Sequence, residues 1–114
     1  MANRDHFRSI ARRPVSLRAH VTSDSGAAGI AASVVNLGLG GACLETREAF
    51  TEGQRVCIQL FAPNLWDPLL LDAQVAWQQP TGIANRVGLR FEHYSGSMLL
   101  ALVELIASNA YQAE

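Results

Sequence analysis

A chain of 114 residues, 49% hydrophobic and 17% charged, supplies a real apolar core for one domain and excludes both a disordered chain and a second independent core. Its formal charge of −1 is unevenly spread: residues 1–21 carry +4 through Arg4, Arg8, Arg12, Arg13 and Arg18 against Asp5 alone, which leaves −5 for the remainder. With an acidic body and no basic stripe beyond the first strand, a general nucleic-acid binder is not expected, and with no apolar run near the roughly 18 residues that cross a bilayer, neither membrane insertion nor a signal peptide is expected. The expected location is the cytoplasm.

All nine basic residues are arginine. The absence of lysine by itself is what codon usage in a G- and C-rich genome would produce. The clustering of five guanidiniums in one segment is the informative part, because the planar fork grips phosphate or a base edge with two hydrogen bonds. Residues 1–14 are therefore read as a flexible arginine-rich segment, 15–110 as the folded domain and 111–114 as a tail.

In chain order, VSLRAHV (15–21) alternates apolar Val15, Leu17, Ala19 and Val21 with polar residues, the period of a half-buried strand, and Pro14 precedes it where a missing N–H costs little. The TSDSG turn predicts a hairpin to a second strand over 29–35. Further strands are expected over 42–46, 55–61, 69–77 and 87–92, punctuated by glycine, proline or asparagine. Trp66 lies in the proline-bracketed loop APNLWDP, where it is either folded back as a lid or presented to a partner. Trp77 is expected in the core.

The period then changes. MLLALVELIA (98–107) predicts a helix capped by Ser95 or Ser97, with Met98, Leu102, Leu105 and Ile106 on its buried face. Leu99, Leu100 and Val103 make other sides apolar as well, which demands further cover: more of the barrel, a partner protein, or a second copy in a homodimer through this helix. Six short strands and one helix predict a mainly β fold, a six-stranded antiparallel barrel with a C-terminal α-helix.

Cys43 and Cys57 sit in apolar runs without CxxC spacing and are expected as small buried side chains, forming neither a disulfide nor a metal site. His6, His20 and His93 have no ligand spacing, and nothing selects an acid–base pair among Asp67, Asp72 and Glu92. No enzyme activity and no cofactor are expected.

Two patterns remain. RSIAR places Arg8 and Arg12 four apart, followed by Arg13 and Pro14, and NLGLGGACLE follows at the junction of the second and third strands, with Asn36, Gly38 and Gly41. Together with LDAQVAWQQPTGIANRVGLRFEHY over the fifth and sixth strands and the C-terminal helix, they resemble the PilZ family over essentially the whole chain. PilZ domains carry RxxxR in the N-terminal segment and [DN]xSxxG at a barrel turn, and the resemblance implies a six-stranded barrel that binds the bacterial second messenger cyclic di-GMP between these elements. Carried onto this chain, Arg8 and Arg12, with Arg13 as helper, would take phosphate or guanine O6 and N7; Asn36 would accept from a guanine N–H; and Gly41 would let backbone approach the ligand.

Gly38 stands in the serine position, a departure that removes a hydroxyl and loosens the turn. Losing one hydrogen bond to a charged group weakens binding about ten- to a hundredfold. The implied function is a non-enzymatic receptor that relays the nucleotide signal to a downstream effector protein in motility, attachment and biofilm, or exopolysaccharide control. The alternative is a degenerate PilZ adaptor that binds no nucleotide and acts through protein contacts at Trp66, Leu99 and Val103.

Overall fold

The computed structural model describes residues 13–23, 29–63, 65–92 and 95–109. Among these residues six strands, β1 (Arg13–Ser23), β2 (Ile30–Leu37), β3 (Gly41–Thr46), β4 (Arg55–Phe61), β5 (Leu69–Thr81) and β6 (Ala84–Phe91), are followed by one helix, α1 (Gly96–Asn109). The strands close into an antiparallel barrel in the order β1-β2-β3-β6-β5-β4, with β1 pairing to both β2 and β4. Closure leaves no sheet edge over the paired length.

Alternation decides which side chains fill the barrel. Val15, Leu17, Ala19 and Val21 on β1 meet Val34, Leu44, Ile58, Leu71, Val75 and Leu89 in one core. Phe50, in the loop after β3, closes one end, and its backbone is held by Gln78, whose Oε1 accepts from the Phe50 N–H at 3.0 Å while its Nε2 donates to the Phe50 carbonyl. At the opposite end, beyond Phe91, α1 inserts Leu102 and Leu105 into the core, with Met98 and Ile106 packed beside them. Ser95 caps the helix, its Oγ accepting from the Met98 N–H at 3.3 Å.

Two expectations are corrected by one irregularity. A bulge between Val75 and Trp77 reverses the inside-outside phase of β5: Val75 pairs with buried Leu89, but Trp77 pairs with Gly88 on the outer wall. Trp77 is therefore half-buried over Gly88 rather than in the core, and a Cβ on Gly88 would lie 2.2 Å from its indole. The same reversal turns Gln78 inward, so the β5–β6 hairpin runs on to Thr81 and Ala84, well past the strand ends expected at Trp77 and Val87. Gly82, with φ of 72°, supplies the tight turn. Pro80 is tolerated because, among the described residues, the backbone bonds on the β4 side of β5 stop at Val75, which is bonded to Gly53 and Gln54.

Cys43 is buried as expected. Cys57 is only half-buried: its neighbours Val56 and Ile58 fill the barrel, so it lies on the outer wall opposite Asp72. Burial and the Asp72 carboxylate push its thiol above the ordinary value.

Candidate functional site

The turn 38–40 joins β2 to β3 and is held tightly from both sides. The Gly38 N–H donates to the Gly41 carbonyl at 2.9 Å, and the Phe91 N–H donates to the Gly40 carbonyl at 2.9 Å, which fastens β6 to the turn. Gly38 is buried and Leu39 packs against the core. Gly41 has a structural reason that its sequence context does not reveal. A Cβ there would lie 2.1 Å from Leu89 O, so close pairing of β3 with β6 already demands glycine, with or without a ligand.

Asn36 owes its orientation to a second bulge. The register shifts between Val34 and Asn36, so that Leu37 pairs inward with Ala42 while Asn36 pairs with Cys43 on the outer wall. Its Oδ1 is buried and has no hydrogen-bond partner among the described residues. A buried acceptor without a donor costs about 1–3 kcal/mol, a cost that no N–H of the described barrel offsets.

The arginine-rich segment joins the barrel beside it. β1 begins at Arg13, earlier than the expected start at residue 15, and its first pairs are Arg13 with Leu37 and Pro14 with Asn36. Arg13, the first described residue, thus lies one strand away from the turn. Arg8 and Arg12 themselves lie outside the described residues, as do His6 and His93, and Arg13 is described only through its backbone pairing.

On the other flank, Arg90 and Gln74 project from the outer wall next to Gly41, with Arg90 Nη2 donating to Gln74 Oε1 at 3.1 Å. Neither residue stands out in the sequence, because their closeness to the turn depends on the pairing of Gly41 on β3 with Arg90 on β6. The alternation in VGLRF does place Arg90 on the face opposite Leu89 and Phe91.

The partner-contact candidates are all exposed. Trp66 is 101% exposed and so is not folded back as a lid; Leu99 and Val103 are exposed at 37% and 43%. Among the described residues no group of His, Cys, Asp and Glu could hold a metal, and no helix is long and apolar enough to cross a membrane.

The family model for the PilZ domain matches residues 2–108. The chain belongs to the PilZ family. Solved structures share the fold of this PilZ domain. The PilZ domain with c-di-GMP of YcgR from Escherichia coli aligns with a TM-score of 0.73 and 18% identity, covering 85% of this chain and 86% of that one. The inhibitor of motility MotI/DgrA from Bacillus subtilis aligns at 0.70 and 14% identity, covering 86% and 48%. The PilZ domain of CeSA from a cellulose-synthesizing bacterium aligns at 0.64 and 15%, covering 85% and 95%. At these identities the likeness is one of fold. No curated protein matches the chain in sequence.

Proposed function

We propose that this PilZ domain is a cyclic di-GMP receptor without catalytic activity, acting in the cytoplasm and relaying occupancy of its turn site to an effector protein. The observation that carries the reading is the Asn36 Oδ1, a buried acceptor lacking a donor among the described residues, beside the strand into which the Arg8–Arg12 segment runs. Guanine offers N–H donors on its Watson–Crick edge, and two arginines supply the fork geometry that phosphate oxygens and the O6–N7 edge require. Ordering the arginine segment across the turn then couples nucleotide to a surface that a partner reads, in motility, attachment or exopolysaccharide control.

Calorimetric titration with cyclic di-GMP tests it. The native chain is expected to bind, and Arg8→Ala and Arg12→Ala each to weaken binding at least tenfold; equal traces for all three would remove the arginine segment from the site.

A second reading, an adaptor that binds no nucleotide, is favoured by Gly38, which is buried with its N–H committed inside the turn, and by the exposure of Trp66, Leu99 and Val103. Gly38→Ser separates the two. Stronger nucleotide binding in the serine variant supports the receptor, and no binding in either form supports the adaptor.

A further inference from the structure

The two feet of the turn, Leu37 and Gly41, are each flanked by an arginine. Arg13 on β1 pairs with Leu37, and Arg90 on β6 pairs with Gly41. Leu89 and Phe91 are buried, so Arg90 between them projects from the outer wall, the same wall that carries Asn36. Its backbone is fixed there by the bond from the Phe91 N–H to the Gly40 carbonyl.

The company Arg90 keeps separates it from its neighbours. Arg86 is paired with Glu45 at 3.0 Å, and Arg55, in the same lateral row as Gln74, is paired with Glu92 at 3.5 Å. Arg90 has an amide instead: Gln74 Oε1 accepts one of its N–H groups at 3.1 Å, and no carboxylate pairs with it among the described residues. A neutral acceptor restrains the guanidinium without cancelling its charge. The remaining N–H groups stay available for an anion at the turn.

We propose that Arg90, positioned by Gln74, is a further arginine of the nucleotide site and holds a phosphate of cyclic di-GMP from the barrel wall. This rests on the receptor reading above, and it adds a contact that neither the RxxxR segment nor the turn motif contains. A phosphate is favoured over a guanine edge because an uncompensated full charge gains most from an anion, whereas the base edge is neutral.

The test is calorimetric titration of the full chain with cyclic di-GMP, comparing the native protein, Arg90→Ala, Arg90→Lys and Arg12→Ala at low and at raised ionic strength. Arg90→Ala is expected to weaken binding about tenfold and to flatten its salt dependence, while Arg90→Lys, which keeps the charge, retains most of the affinity. Native affinity in Arg90→Ala alongside a loss in Arg12→Ala overturns the inference and leaves the receptor reading standing. Failure of the native chain to bind overturns both. A lysine variant as weak as alanine, with native salt dependence, overturns the phosphate assignment in favour of a base-edge contact. Arg90 is exposed, so both Arg90 variants are expected to melt as the native protein does, and the lysine variant keeps the comparison valid should alanine disturb β6.

Discussion

At the scale of single residues, the candidate site holds one buried polar atom without a donor. Asn36 Oδ1 is desolvated without a partner among the described residues, a state that folding tolerates at a cost and that an N–H from a ligand would relieve. Asn36→Leu, close in size and free of the buried acceptor, is expected to raise the unfolding free energy of the nucleotide-free protein by about 1 kcal/mol while weakening cyclic di-GMP at least tenfold. Chemical denaturation and calorimetry on the same variant check the two halves; lower stability would mean that the Oδ1 is already satisfied. Cys57 gives a pH-dependent counterpart. Its thiol is raised by burial first and by Asp72 second, so the folded state holds its proton to higher pH than the unfolded chain does. The stability contribution is full below the ordinary thiol value of 9.0 and declines as pH rises from there through the folded value. Thiol modification by a disulfide reagent at pH 8 is accordingly expected to be slower for Cys57 than for a free cysteine, and Asp72→Asn to accelerate it.

At the scale of elements, α1 divides cleanly into a structural face and an exposed one. Leu102 and Leu105 are fully buried, whereas Leu99, Leu100 and Val103 are not. Leu105→Ala is expected to cost about 2–5 kcal/mol in denaturant unfolding. Val103→Ser should change the stability of a monomer by less than about 0.5 kcal/mol, as surface substitutions do. If α1 forms a homodimer, Val103→Ser will instead lower the solution mass measured by light scattering. The bulges are the other element-level devices. One turns Asn36 outward, and the other carries Trp77 onto Gly88 while directing Gln78 to the Phe50 backbone that closes the barrel.

For the molecule as a whole, closure joins the candidate site to the core. The turn that carries Gly38 is hydrogen-bonded to β6, β6 pairs with β3 and β5, and the helix that follows β6 fills the end of the same barrel. Nucleotide that binds only the folded barrel should therefore stabilise all of it. In differential scanning calorimetry one cooperative transition is expected, shifted upward by cyclic di-GMP in proportion to the logarithm of its concentration and worth about 2.7 kcal/mol at a hundredfold excess over Kd. An unshifted transition at concentrations that saturate the calorimetric titration would place binding on a part of the chain that does not communicate with the barrel.

Much of this is legible in the sequence. Alternation in VSLRAHV, punctuation by glycine and proline, and the period change at Met98 specify six strands and a helix, because a side chain's choice between core and water is a local property of its position along a strand or helix. The RSIAR and NLGLGG patterns are likewise local, and they named Asn36 and the arginine segment as candidates. Strand order and register are not local. That Trp77 leaves the core, that Gly41 is required by Leu89, and that Arg90 and Gln74 stand beside the turn all follow from pairings between residues far apart in the chain. Those pairings are set by how the whole barrel closes over one shared core, and only the tertiary structure decides them.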